Sequence, residues 1–210
     1  MAATPLIFLL PDSSAPKTVG KKVAGSLTAL QCTPIGEGAA AAIVASEDGI
    51  KRLGIDPGRA VRVIGSTARS ERVYAAGLGF DAVLTKETTA IALQEAQVSP
   101  QELDIIELHD AFTVEELHYI ENIGLCPEGQ GVQLLKEGAL DIGGRCAVNP
   151  SGGLIAMGHP IGPTGIGQIG EITLQLRGEA GARQHPKART GLAHMVGVGA
   201  VCYVHLLQRP

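Results

Sequence analysis

The chain has 210 residues, of which 45% are hydrophobic and 18% charged, with 28 glycines and 3% aromatic residues. This composition predicts a globular protein of one domain with some additional chain, packed through small residues. A net charge of -4, without a Lys/Arg cluster or stacking aromatics, argues against a nucleic-acid partner.

The cysteines and the apolar segments bear on the compartment. Cys32, Cys126, Cys146 and Cys202 contain no CxxC pair, so the spacing favours reduced thiols over a disulfide framework or a zinc ribbon. The apolar run at 6–10 lies between two prolines and is too short to span a membrane. We therefore expect a cytoplasmic chain without membrane insertion.

The first half of the chain alternates strands and helices. Residues 1–30 mix Pro, Ser, Gly and Lys, which is typical of an irregular lead-in. The run GAAAAIVAS at 38–46 predicts a strand buried on both faces. Three further elements are predicted: a short helix at 47–53 that ends at Gly54, a strand at 61–65, and a helix at 85–97 with Ala90, Leu93 and Ala96 on one side.

A histidine follows the clearest strand in the sequence. LDIIEL at 103–108 predicts this strand, and Thr113 with Glu116 predicts a capping box at the start of a helix that ends at Gly124. Its apolar positions recur every three residues: Val114, Leu117, Ile120 and Ile123. Because α/β proteins bind ligands beyond the carboxyl ends of strands, His109 is a candidate site residue.

The last third contains a glycine-rich loop at 149–164, a helix that ends at Gly178, and a hairpin. The hairpin strands are predicted at 192–196 and 200–207, with Gly197 and Gly199 in the turn. The order of elements predicts an α/β fold in layers.

One glycine motif is interpreted as structural. Gly165 to Gly170 reads GIGQIG, which matches GxGxxG. No strand directly precedes it and no acidic residue ends a second strand about 20 residues later, so it does not predict a dinucleotide site. We interpret it as the start of a helix with four residues facing inward: Ile166, Ile169, Thr173 and Leu176.

Three segments together resemble a known family. HDAF at 109–112, NPSGG continuing to GHPIGPTG at 149–165, and HMVGVG at 194–199 are similar, in order and spacing, to the C-terminal signature of thiolases. GEGAAAA at 36–42 and LCPEGQG at 125–131 extend the similarity. The HDxF form resembles the branch of the sterol-carrier-protein thiolases and related acetyl-CoA acetyltransferases.

The resemblance implies a layered αβα thiolase fold, of which this chain holds the C-terminal half. After the irregular lead-in at 1–30, it implies a remnant of the N-terminal thiolase domain at 31–60 and the C-terminal thiolase domain at 61–210. The nucleophilic cysteine is then expected from an N-terminal half that is missing or separate. The substrate would be a coenzyme A thioester, with no tightly bound cofactor, and the partner would be that N-terminal half or a second copy of the chain in an oligomer such as a dimer.

The resemblance also implies residue roles. His159 would assist formation of the cysteine thiolate and donate to the thioester oxygen, which suits the pKa range of imidazole. His109, with a water molecule, would complete an oxyanion site. The backbone N–H of Gly197 would contribute to a second oxyanion hole.

Two departures from the family pattern concern the acid/base. Ala111 and Met195 stand where thiolases of this kind have the acid/base cysteine. Cys202 lies seven residues beyond Met195, and extended geometry places it too far along the chain to substitute.

Three functions therefore stay open: a thiolase-like acyltransferase in lipid metabolism, a non-catalytic interaction protein, and a retro-aldolase on a coenzyme A ester. His194 is interpreted equally well as a site residue or as a buried strand histidine. His118, His185 and His205 are interpreted as structural or exposed, and no ligand spacing predicts a metal site.

Overall fold

In a computed structural model the described residues are 20–71, 80–186, 188–197 and 201–210. The helices and strands occur in this order: β1 (Lys22–Ala24), β2 (Leu27–Thr28), α1 (Glu47–Arg52), β3 (Arg62–Ser70), α2 (Phe80–Ala96), β4 (Ile105–Glu107), α3 (Thr113–Ile123), α4 (Gly131–Lys136), β5 (Ala147–Val148), α5 (Gly153–Met157), α6 (Thr164–Arg177), β6 (Thr190–Gly197) and β7 (Val201–Gln208).

The central element is a mixed sheet of five strands in the order β3-β7-β6-β4-β5. β4 pairs in parallel with β5 and β6, whereas β7 pairs antiparallel with β6 and β3. The predicted hairpin of β6 and β7 is confirmed. Gly197, which was predicted in the turn, is instead the last residue of β6 and pairs with Val201, and residues 198–200 lie outside the described residues.

Side chains from the sheet pack into two cores, one on each face. Ile106 and Leu192 belong to the core beneath α2 and α3, while their neighbours Ile105 and Ala193 belong to the core beneath α6. Successive residues of a strand point to opposite faces, so the apolar runs of β4 and β6 fill both cores. The predicted α/β fold, with helices on both sides of the sheet, is confirmed.

The predicted helix ends are confirmed, and one predicted cap is wrong. Gly124 and Gly178 follow α3 and α6 with φ of 92° and 76°, a left-handed conformation that glycine adopts without penalty. The N-cap of α3 is Phe112 and not Thr113. The Glu115 carboxylate accepts a hydrogen bond from the Phe112 N–H at 3.2 Å, so the helix starts one residue before the register that Thr113 and Glu116 indicate.

The strand predicted at 38–46 is absent. This segment runs without strand pairing, and Ile43 and Val44 are 92% and 88% exposed. A strand needs a neighbour for its backbone hydrogen bonds, and no strand in the described parts of the chain pairs with this one. Small and β-branched residues alone therefore do not make a strand here.

The lead-in is also more regular than expected. Residues 1–19 lie outside the described residues, but β1 and β2 form a short antiparallel pair within the segment predicted as irregular. The other predicted helices and strands agree in type, and β3 and α2 are both longer than predicted. The structure adds α4 and β5, and α5 lies within the segment 149–164 that was predicted as a loop.

Three helices bury faces that differ from the predicted ones. Ala90 of α2, Val114 of α3 and Ile166 of α6 are exposed. Polar residues occupy part of the buried face of α6, including Gln168, whose amide donates to the His194 carbonyl at 3.1 Å. A periodicity count of apolar residues misses such a face, because a polar side chain that forms hydrogen bonds can be buried at little cost.

Candidate active site

His109 lies beyond the carboxyl end of β4, two residues after Glu107 and four before the start of α3. Asn149 holds the turn between β4 and α3, because its side-chain oxygen accepts a hydrogen bond from the Leu108 N–H at 2.8 Å. Asn149 has φ of 47°, a conformation that asparagine adopts more readily than most residues. The strand end and the next loop thus hold each other in place, and they position His109.

His159 lies in the glycine- and proline-rich loop before α6. Its Nδ1 shares a hydrogen bond of 2.8 Å with the hydroxyl of Thr164, the first residue of that helix. Its backbone N–H donates to the Pro34 carbonyl at 2.9 Å. Because Nδ1 is engaged by Thr164, Nε2 is the nitrogen left for chemistry.

The two rings meet edge to face. The ring centroids of His109 and His159 are 5.1 Å apart, with an angle of 81° between the planes. Burial, reinforced by the neighbouring His159, lowers the pKa of His109 to about 4. Burial also lowers the pKa of His159. Both imidazoles are therefore neutral near pH 7, a state in which each ring has one donor nitrogen and one acceptor nitrogen.

A segment from the first part of the chain lies across both histidine loops. Thr33 donates from its N–H to the Ala111 carbonyl at 2.9 Å and from its hydroxyl to the Leu154 carbonyl at 2.6 Å. Cys32 forms an antiparallel bridge with Phe112, and Ile35 forms a parallel bridge with His159. Sequence analysis does not predict this contact, because the segment is about 80 residues from the first loop and about 120 from the second.

Buried carboxyl groups hold the loop between the histidines, and sequence reasoning missed them. Asp110 accepts from the Leu154 N–H at 2.7 Å at the start of α5. Glu107 accepts from the N–H and the hydroxyl of Ser151 at 3.0 and 2.7 Å. Gly153, with φ of 61°, has no room for a Cβ next to Asp110. The sequence signal that could have predicted this role is the acidic residue next to His109, since carboxylates commonly accept hydrogen bonds from the free N–H groups at the start of a helix.

Gly197 and Met195 lie on the face of β6 that points toward α6. They line a groove of about 330 Å³ together with Gly165, Ile169 and Tyr203. The groove is mainly apolar, and Met195 packs over Gly165. The structure thus brings His109 and His159 together, whereas the oxyanion role of Gly197 stays a prediction.

Cys202 has no acid/base role that its surroundings support. The argument from chain distance is wrong, because the hairpin places Cys202 opposite Val196, next to Met195. Its side chain is nevertheless fully buried on the opposite face, in the core beneath α2. Burial raises the pKa of its thiol to about 11, so the thiol stays protonated at neutral pH.

The remaining histidines are explained mainly by packing. His194 is fully buried, shares a hydrogen bond of 2.9 Å with Thr85 and lies against the Tyr119 ring at 4.7 Å. Burial and the nearby His109 lower its pKa to about 3, which fits a buried strand histidine next to the site. His118 is exposed, His185 is buried, and His205 shares a hydrogen bond of 3.0 Å with Ser66.

Within the described ranges, no group of three or more His, Cys, Asp or Glu residues could hold a metal ion. No described helix is both long and apolar enough to cross a membrane. All four cysteines are free thiols, as the spacing predicts, and the GIGQIG run lies within α6 at its amino end.

Comparison with known proteins decides the family. Residues 78–208 match the family model described as thiolase C-terminal domain-like. The chain belongs to this family. The match includes both histidine motifs and the hairpin, so the thiolase-family resemblance drawn from the motifs is confirmed.

Several curated proteins are similar to this one over most of the chain. Sterol carrier protein 2 of Homo sapiens is 42% identical over 193 residues, which cover 89% of this chain and 35% of that protein. Benzoylsuccinyl-CoA thiolase subunit BbsB of Thauera aromatica is 38% identical over 93% of this chain and 51% of that protein. Acetyl-CoA acetyltransferase of Methanothermobacter thermautotrophicus is 36% identical over 89% of this chain and 49% of that protein.

The chain thus spans between about a third and a half of the length of these relatives. Among solved structures, the Ltp2-ChsH2(DUF35) aldolase superposes with a TM-score of 0.69 at 19% identity, covering 90% of this chain and 49% of that one. At this identity the superposition supports the fold alone, and it agrees with the thiolase-type layered architecture.

Proposed function

We propose that the chain is the C-terminal half of a thiolase-like acyltransferase that acts on acyl-CoA thioesters. The nucleophilic cysteine would come from an N-terminal thiolase half, in the same polypeptide or in a separate one. The observation that carries the proposal is the edge-to-face pair of His109 and His159, 5.1 Å apart, on two loops that carry thiolase motifs.

The environment of His159 suits a base for a cysteine thiol. A thiol is a weak nucleophile near neutral pH until a base removes its proton. His159 has a pKa lowered by burial, so the ring is neutral and able to accept that proton. Thr164 holds Nδ1 at 2.8 Å, which would leave Nε2 to face the thiol and then the thioester oxygen.

His109 and Gly197 would stabilise negative charge on the substrate. His109 would order a water molecule that donates to the thioester oxygen, and the Gly197 N–H would form part of a second oxyanion hole. Donors fixed in place before the reaction stabilise a developing oxyanion by several kcal/mol, roughly 3 per donor.

The surface supports a large partner, for which we propose the N-terminal thiolase half. The groove beside α6 is lined by apolar residues such as Ile161, Ile166 and Met195, and Ile161 is 61% exposed. The segment 36–46 is exposed as well, and the side chains of Ile43 and Val44 are almost fully exposed to solvent. An exposed apolar groove of this kind commonly marks an interface.

Reconstitution tests this function. We expect the chain, combined with an N-terminal thiolase half, to cleave or exchange acyl-CoA thioesters, and His159→Ala to abolish the activity. His118→Ala is the matched control, because His118 is an exposed histidine on α3. The reconstituted His118→Ala enzyme should have the activity of the wild type. Full activity of the His159→Ala protein would refute the assignment. A folded complex without any thioester chemistry would instead favour the interaction protein.

A retro-aldolase on a coenzyme A ester is the second candidate, favoured by Ala111 and Met195. Neither side chain can move a proton, and both occupy the positions of the acid/base cysteine. A retro-aldol cleavage does not require proton abstraction from an acetyl group. Turnover of a β-hydroxyacyl-CoA, with none of the corresponding β-ketoacyl-CoA, would select this reaction over acyl transfer.

A further inference from the structure

One ring nitrogen of His109 lacks a hydrogen-bond partner in the described part of the chain. This nitrogen, Nδ1, is fully buried, and the group that faces it is the Glu115 carboxylate, with Oε2 at 3.8 Å. Leaving a buried nitrogen unpaired costs about 1–3 kcal/mol. A small rotation of either side chain, closing about 1 Å, would turn this contact into a hydrogen bond.

Glu115 is held where it can serve this nitrogen. It is the third residue of α3, and its Oε2 accepts from the Phe112 N–H at 3.2 Å. The carboxylate therefore caps its own helix and faces the histidine with the same oxygen. Because the cap fixes the side chain, little conformational entropy remains to be lost when it engages His109.

We propose that Glu115 is the positioning residue of His109, and that its carboxylate fixes the ring in the tautomer with hydrogen on Nδ1. The effect of this tautomer on catalysis rests on the proposed function, whereas the tautomer itself does not depend on that function. A carboxylate only accepts hydrogen bonds, so the proton must lie on Nδ1. Nε2, on the other side of the ring, is then an acceptor.

The tautomer decides what His109 can do in the site. With an acceptor at Nε2, the ring takes one hydrogen of a bound water molecule, and the second hydrogen of that water is free to donate to the thioester oxygen. With hydrogen on Nε2, the water would instead accept from the ring, and both of its hydrogens would be free, so the ring would not fix the direction in which the water donates. The first arrangement therefore orients the donor toward the oxyanion before the reaction.

Other titratable groups surround the pair. His159 faces the His109 ring from the loop before α6, and His194 of β6 is close enough for His109 to contribute to lowering its pKa. Asp81 of α2 and the buried Asp110 interact with the charge of Glu115. Burial raises the pKa of Glu115 to about 7, so the tautomer should be measured at about pH 8 or above, where the carboxylate is ionised.

Nitrogen-15 NMR of the histidine side chains tests the proposal directly on the full chain, alone or assembled with an N-terminal thiolase half that is left unlabelled. His109→Asn identifies the His109 signals by their loss. In the wild type we expect a protonated, pyrrole-type Nδ1 and an unprotonated, pyridine-type Nε2. In Glu115→Gln we expect Nε2 to shift toward the pyrrole type, because the amide group can donate to Nδ1.

Two variants separate positioning from capping. Glu102→Gln is the matched control, because Glu102 also accepts from the backbone N–H of its own N-cap, Ser99, at 2.8 Å, and it should leave the His109 signals unchanged. Glu115→Asp keeps the charge and should restore part of the wild-type pattern. The signals of the buried His194 report whether each variant is folded.

A wild-type His109 with hydrogen on Nε2, or a Glu115→Gln spectrum identical to the wild type, would overturn the proposal. In the reconstituted enzyme we expect Glu115→Gln to lower kcat about tenfold or more with little change in KM, as loss of a residue behind a site histidine does. Absence of any thioester activity in the wild type would refute the proposed function, and the tautomer measurement would still stand on its own.

Discussion

Ile161 occupies a backbone conformation that its residue type disfavours. It has φ of 57°, two residues after His159, and its side chain is 61% exposed. A β-branched residue in the left-handed region costs about 1–2 kcal/mol, and such residues tend to occur at functional sites. The loop that carries His159 therefore keeps a strained turn between the histidine and the Thr164 hydroxyl that holds it.

Ile161→Asn should stabilise the chain by about 1 kcal/mol, because asparagine tolerates the left-handed region and little apolar burial is lost. The measurement is the free energy of unfolding from urea titration. Ile166→Asn serves as the control, since Ile166 is also partly exposed but lies within α6, where asparagine is a poorer helix former. A destabilised Ile161→Asn protein would show that the turn is not strained.

At the scale of the elements, glycines decide how closely α6 and the sheet approach. A Cβ on Gly191 of β6 would overlap the Ile172 side chain of α6, whereas a Cβ on Gly167 would meet no heavy atom within 4 Å. The first glycine therefore serves packing. The second lies on the outward face of the helix, which agrees with a structural interpretation of the GxGxxG match.

Gly191→Ala should lower the free energy of unfolding by about 1–3 kcal/mol, because the added methyl group forces the helix away from the strand. Gly167→Ala should instead raise it by about 0.5–1 kcal/mol through helix propensity. Chemical denaturation of both proteins against the wild type gives the two values. Equal effects would mean that α6 does not pack on β6 through this face.

Across the whole molecule, an unusual number of carboxyl groups is buried around the end of β4. Burial raises the pKa of Glu107 and Glu116 to about 8 and that of Asp110 and Glu115 to about 7. The folded chain therefore keeps protons that the unfolded chain releases at lower pH. Because stability falls with pH wherever the folded state binds more protons, these groups favour the folded state at mildly acid pH.

The free energy of unfolding should therefore decrease from about pH 6.5 to pH 8. The lowered pKa values of His109 and His194 act in the opposite direction, but only below 6.5, their ordinary value, because above it both rings are neutral in either state. Urea titrations across this range measure the slope. Glu116→Gln should make the free energy of unfolding less dependent on pH. Glu128→Gln, at an exposed position, should leave the dependence unchanged. A free energy of unfolding that rises from about pH 6.5 to pH 8 would contradict the prediction.

The sequence by itself determined the family, the two histidines and most element types. Strands such as β4 are apolar on both faces, helices α3 and α6 end at glycines, and the motifs keep their spacing, all of which are local properties. The resemblance needed only residue order. For this reason His109 and His159 could be named without knowledge of the distance between them.

Tertiary structure alone decided which residues touch. The contact of segment 32–36 with both histidine loops and the approach of the His109 and His159 rings each depend on how the chain folds back, which residue types and spacing do not encode. The hairpin brings Cys202 beside Met195 and turns its thiol into the opposite core. The run at 38–46 is not a strand, because a strand is a property of two paired segments, and a single apolar sequence cannot specify its partner.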